Sequence, residues 1–165
     1  MAKDENTKKT KRPKYKNKKC VIDGIKFDSI AEGDYYLALK KSKEKGLIVG
    51  FKLQPKFTIQ EKFKHATEGN IRAIVYKADF LIHQLGEEKA SLVVDVKGQA
   101  TSDANNKRKM FLKKYPEYEL IWESKSLKHG VNGWICYFKL EKIRRENRKK
   151  KALLKNKQPV RREYE

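Results

Sequence analysis

Cysteine is scarce in this sequence: Cys20 and Cys136 are the only two in 165 residues. Two thiols so far apart exclude a disulfide framework and a cysteine-ligated zinc cluster. Long apolar runs are missing too. No stretch approaches about 18 uncharged apolar residues, so a membrane span is not expected. The chain opens with charge and no apolar run follows, unlike a secretory signal. Hydrophobic residues reach only 38%, which leaves room for one domain with a single modest core. Acidic residues are in short supply as well. Lys and Arg number 41 against 21 Asp and Glu, a formal net charge of +20. The expectation is a cytoplasmic, strongly basic protein whose partner is a polyanion.

The charge is concentrated at the ends. Residues 1–19 hold nine Lys or Arg against Asp4 and Glu5, and residues 141–165 hold eleven against four acids. Each segment carries +7, so the middle, 20–140, keeps only +6. This division predicts a disordered basic arm over 1–19, a globular domain over 20–140, and a basic helical or disordered tail over 141–165. Such tails suit phosphate neutralisation, which gives affinity without sequence preference. A solubilising tail or a nuclear-import signal would carry the same composition.

The middle reads as alternating elements. Val21-Ile22-Asp23-Gly24-Ile25-Lys26-Phe27 predicts a hairpin turning on Asp-Gly. A helix is expected from Ile30 to about Lys45, closed by Gly46. Leu47–Phe63 is strand-like with a break at Gln54-Pro55, and Ile71–His83 reads as one long strand. A polar turn over 84–90 leads to a buried strand, Ser91–Lys97. A helix over Ser102–Lys114 and a strand over Glu119–Glu123 follow. A last helix should begin near Asn132 and fray before Pro159. The fold class is α/β in the wide sense (α+β), a mixed central sheet flanked by helices.

Acids at apolar positions carry the functional signal. Asp79 interrupts Ile74–Ile82 and Asp95 interrupts Leu-Val-Val-Asp-Val, although Asp is depleted in strands. Lys97 leaves the same strand face as Asp95. Asp79 and Asp95 are equidistant from Glu87, so a hairpin centred there sets them directly opposite. Opposed like charges repel, and a divalent cation with hard oxygen ligands, Mg2+ or Mn2+, would offset them. The alternative is that both acids lie on a solvent face beside Lys77 and Lys97. Glu32 has two readings: it completes a capping box with Ser29, and it shares a helical face with Tyr36 and Leu39. His65, His83 and His129 lie beside no plausible nucleophile and read as surface or core residues. Trp122 and Trp134 read as core.

Ala31-Glu32-Gly33, Ala78-Asp79-Phe80 and Asp95-Val96-Lys97-Gly98, in that order over 20–140, resemble the PD-(D/E)XK nuclease superfamily. Within it the chain looks closest to small phage-encoded endonucleases and Holliday-junction resolvase-like proteins. The resemblance implies a restriction-endonuclease-like fold and hydrolysis of DNA phosphodiesters. Asp79, Asp95 and the Val96 carbonyl would bind the metal, and Lys97 would hold or activate the attacking water. Glu32 would complete the metal shell or orient a metal-bound water. Two departures stand out: Ala78 replaces the proline of the motif name, and Asp95 stands where Glu is common.

Thr101 and Ser102 open a helix carrying Lys107, Arg108, Lys109, Lys113 and Lys114. Met110 and Phe111 should pack on the sheet, leaving Thr101, Lys107, Arg108 and Lys109 as candidate DNA contacts, or merely a solvated basic face. The expected protein is a homodimeric, magnesium-dependent endonuclease of branched DNA, acting in the host cytoplasm if phage-encoded. Two alternatives stay open: a non-catalytic basic nucleic-acid-binding protein, and a nuclease of linear DNA or RNA.

Overall fold

The computed structural model describes residues 18–86 and 91–156. Residues 1–17 of the expected basic arm, 87–90 of the turn over 84–90, and 157–165 of the tail lie outside the described residues.

The chain opens with β1 (Cys20–Ile22) and β2 (Ile25–Phe27), paired antiparallel. Asp23 and Gly24 between them both take positive φ, 53° and 74°, as a two-residue hairpin turn demands. Helix α1 (Ile30–Glu44) follows, with the Ser29 hydroxyl accepting from the Glu32 N–H at its start. Gly33 sits where the β1–β2 hairpin crosses this helix. A Cβ there would meet Cys20 Sγ at 2.7 Å and Ile22 Cδ1 at 2.8 Å, so only glycine fits without displacement.

Next come β3 (Ile48–Leu53), β4 (Lys56–Gln60), β5 (Phe63–His65), β6 (Gly69–Ile71), β7 (Ile74–Lys77), β8 (Phe80–Gln84) and β9 (Ser91–Val96). Helix α2 (Ser102–Lys114), β10 (Glu119–Lys125), β11 (Trp134–Cys136) and α3 (Tyr137–Asn156) complete the described chain. Five strands form the central sheet in the order β11-β10-β9-β8-β3. β9 and β10 run parallel, and the other neighbours are antiparallel. The fold is α+β, a mixed sheet with three helices.

Two expectations are corrected. The segment read as one long strand, Ile71–His83, is cut twice: β7 pairs with β4, whereas β8 pairs with β3 and β9. Ala78 N–H donates to the Pro55 carbonyl and Gln54 N–H to the Asp79 carbonyl, so the chain steps between two sheets there. The last helix begins at Tyr137, not near Asn132. Residues 134–136 pair with Glu123–Lys125 instead, because Asn132 and Gly133, at φ 54° and 87°, turn the chain back against β10.

The core also divides in two, where the composition suggested one. β9 is buried on both faces at Val93, Val94, Asp95 and Val96. Val93 and Leu81 pack with Phe57, Tyr76, Phe111, Trp122 and Tyr137 on one side. Val94, Val96, Phe80 and Ile82 pack with Phe27, Tyr36 and Leu39 of the α1 layer on the other. No helix among the described residues is long and apolar enough to cross a membrane. Cys20 and Cys136 are free thiols.

Phe111 is fully buried and its ring meets Phe57, Tyr76 and Tyr115. Phe111→Ala is expected to lower unfolding free energy by about 3–5 kcal/mol in urea titrations. Leu127→Ala, at a side chain 86% exposed, should change it by less than about 0.5 kcal/mol. Similar losses for the two would contradict this account of the core.

Candidate active site

The β8–β9 register ends at the Phe80–Val94 pair, one residue short of Asp79 and Asp95, and the two acids lie close enough for the Asp95 charge to act on Asp79. Asp79 lies at the junction of β7 and β8 rather than within a strand. Its own N–H donates to the Val94 carbonyl at 3.2 Å, one residue out of the ladder's register, so the pairing breaks there. Its Oδ2 accepts the Val96 N–H at 2.7 Å. A side chain has thus taken the place of a backbone acceptor where the two strands part.

Asp95 is 2% exposed, which removes the solvent-face alternative for this residue. Both of its carboxylate oxygens are satisfied. Lys97 Nζ lies 2.7 Å from Oδ1, and the Tyr76 hydroxyl donates to Oδ2 at 2.7 Å. The Trp122 indole N–H in turn donates to the Tyr76 oxygen at 2.9 Å. Burial and the neighbouring Asp95 hold the Tyr76 phenol well above its usual range, so it remains a donor. Tyr76 and Trp122 are parts of the site that the sequence did not single out as functional. Tyr76 meets Asp95 across 19 residues of chain and Trp122 meets Tyr76 across 46, beyond any local signal.

Among the described residues no Lys, Arg or His lies within ion-pair distance of Asp79. Burial, then the charges of Asp95 and Glu32, raise its pKa from the usual 3.8 to about 8. Glu32 is raised as well, chiefly by burial. The Ser29 hydroxyl donates to Glu32 Oε1 at 2.9 Å and the Asp28 N–H to Oε2 at 3.2 Å, so the capping box is formed. The same carboxylate raises Asp79 and feels the charge of Lys97. Glu32 therefore serves the helix start and faces the site as well.

The donor chemistry fits a magnesium or manganese ion. Two carboxylates and a carbonyl at Val96 are hard oxygen donors, and Mg2+ is often held by one or two carboxylates with water filling the remainder. Glu32, Asp79 and Asp95 outnumber Lys97, an imbalance that a divalent cation would offset. Among the described residues no three His, Cys, Asp or Glu side chains converge as a complete ligand set. Asp79 and Asp95 would hold the ion, and Glu32 would complete its shell or orient a bound water.

Residues 12–131 match a protein family described as "Protein of unknown function (DUF1064)". The chain belongs to that family. No curated protein and no solved structure matches it. The family match holds Glu32, Asp79, Asp95, Lys97 and all of α2, and it ends before β11 and α3.

The candidate DNA contacts of this family member divide. The Thr101 hydroxyl caps α2 by accepting the Ala104 N–H at 3.1 Å. Lys107 pairs with Asp103 at 3.3 Å, and Lys109 is exposed. Arg108 lies over the Phe138 ring at 4.7 Å and the Trp122 ring at 5.5 Å. Lys97 Nζ is 5.7 Å from that same indole, so Arg108 and Lys97 share the Trp122 ring. The Nε of Arg108 is buried and has no hydrogen-bond partner among the described residues. From α3, the Tyr137 hydroxyl accepts the Ala100 N–H and Arg144 donates to the Gly98 carbonyl. These contacts fix the loop that follows Lys97.

In metal-free protein the folded state keeps a proton on Asp79 up to about pH 8, whereas the unfolded chain releases it near 3.8. The folded state thus binds more protons between these values, and stability falls as pH rises through them. Asp79→Asn keeps an acceptor for the Val96 N–H and should flatten that slope. Urea unfolding in EDTA at several pH values between about 4 and 8 checks this. An equal slope in the variant would refute the raised carboxyl.

Proposed function

We propose that this protein is a metal-dependent endonuclease that hydrolyses DNA phosphodiesters, selective for branched DNA and acting as a homodimer in the cytoplasm. The observation that carries the reading is the neighbouring pair Asp79 and Asp95, with Lys97 on one acid and, among the described residues, no cation on the other. A buried pair of this kind lowers stability unless a counter-ion completes it, so its presence supports a metal role over a structural one. The resemblance of Glu32, Asp79, Asp95 and Lys97 to the PD-(D/E)XK pattern supports the same reading.

Asp79, Asp95 and the Val96 carbonyl would hold magnesium or manganese, which when bound neutralises phosphate charge and activates water. The chain's own residues supply the remainder. Tyr76 and Trp122 hold the Asp95 carboxylate in one orientation. The Lys97 ammonium sits at the edge of the acid pair, where it meets the attacking water and the developing negative charge. Arg108, stacked beside Lys97, is placed to meet a phosphate oxygen with its guanidinium. Glu32 biases the protonation of Asp79 from the α1 side.

The test uses end-labelled four-way junction and linear duplex of the same sequence, in magnesium or EDTA. Magnesium-dependent cuts near the branch are expected. Asp95→Asn should slow them by about 10³-fold, and Tyr76→Phe by about 10–100-fold through loss of orientation. Equal cutting of both substrates would retain the nuclease and reject branch selectivity. Tight binding with no cutting in either magnesium or manganese would favour a non-catalytic nucleic-acid-binding protein.

A further inference from the structure

The β4–β7 ladder ends at the Gln60–Ile74 pair, and the β5–β6 ladder begins at Phe63–Ile71. Glu61, Lys62, Arg72 and Ala73 lie outside both ladders at this opening. An open cleft of about 550 Å³ occupies it, lined by Lys62, Lys64 and Arg72 together with Phe63, Asn70 and Ile71. Its volume falls in the range of about 300–1,000 Å³ typical of clefts that seat a small ring system.

The contents of the cleft are unusual for a hairpin arm. Every residue of β5 is exposed, and Phe63 keeps 48% of its surface in water. The ring belongs to neither core cluster. Phe63 opposes Ile71 and Lys64 opposes Asn70, and residues of both pairs line the same open cleft. Glu61, the nearest acid in the sequence, is engaged by Lys114 at 3.2 Å. Among the described residues no carboxylate lies within ion-pair distance of Lys62, Lys64 or Arg72.

An exposed aromatic ring flanked by unneutralised cations is the combination that binds single strands. Bases stack on the ring whatever their identity, and the cations track the phosphates. We propose that this cleft binds unpaired nucleotides of DNA, with a base stacked on Phe63 and the flanking phosphates held by Lys62, Lys64 and Arg72. In a duplex the bases already stack on one another, so the ring discriminates in favour of strands that have parted. The inference rests on the nuclease reading only in taking DNA as the partner, and it gives that reading a physical source of preference for branched substrates.

Binding of fluorescein-labelled oligo(dT), oligo(U) and a blunt duplex to the full chain in EDTA, where nothing is cut, tests it. Phe63→Ala and Phe63→Leu should each weaken oligo(dT) binding about 10-fold and leave duplex binding within about 2-fold. Phe63→Trp should retain it. Arg72→Ala should weaken both DNA probes and lower the salt slope by about 1. Unchanged oligo(dT) affinity in both Phe63 variants would overturn the proposal, as would an equal loss on duplex. Tighter, Phe63-dependent binding of oligo(U) would overturn the assignment to DNA. Magnesium-dependent cutting alongside normal binding by the Phe63 variants would reject the cleft alone. Phe63-dependent binding without cutting would reject the nuclease alone.

Discussion

Two carboxylates face each other where β8 and β9 part, and the rest of the site follows from how each is compensated. Asp95 is buried but complete, because Lys97 and Tyr76 occupy its two oxygens. Asp79 is held by one backbone N–H and lies close to its neighbour's charge, so its carboxyl is pushed up to about 8. Removing either partner of a buried charged group leaves the other unsatisfied. That requirement explains why a Tyr, a Trp and a Lys from three different strand segments converge on one acid.

The local and global charges oppose each other. A chain of net charge +20 attracts polyanions, while the site itself gathers three acids, Glu32, Asp79 and Asp95, of which Asp79 keeps its proton up to about pH 8 until a cation displaces it. A phosphodiester approaching the acids therefore needs positive charge beside them. Lys97 and Arg108, both set against the Trp122 indole, supply part of it from the protein. Under the proposed function the basic tails and the β5–β6 arm would add affinity at a distance, where salt screens them.

Several features were legible before the fold was known because their causes are local. The Asp23-Gly24 turn, the Ser29 cap with Glu32 and the Ser102–Lys114 helix each depend on a few adjacent residues. The nearness of Asp79 and Asp95 was also legible, since the β8–β9 pairing follows from counting across the turn. The misreadings have the opposite cause. Ile71–His83 looks continuous by β-propensity, and its division comes from two different partner strands competing for one segment. The start of α3 moved to Tyr137 because β10 offered residues 134–136 an edge to pair with.

The sequence by itself determined the class of fold, the excess of positive charge and the presence of Asp79, Asp95 and Lys97 on neighbouring segments. These rest on composition, period and spacing, which short-range sterics and hydrogen bonding turn directly into local structure. Only the tertiary structure decided that Tyr76 and Trp122 orient Asp95, that Arg108 stacks beside Lys97, and that Phe63 stays in water beside three cations. Those relations join residues far apart in the chain. They exist only because packing two layers against one sheet leaves each side chain a single place to go.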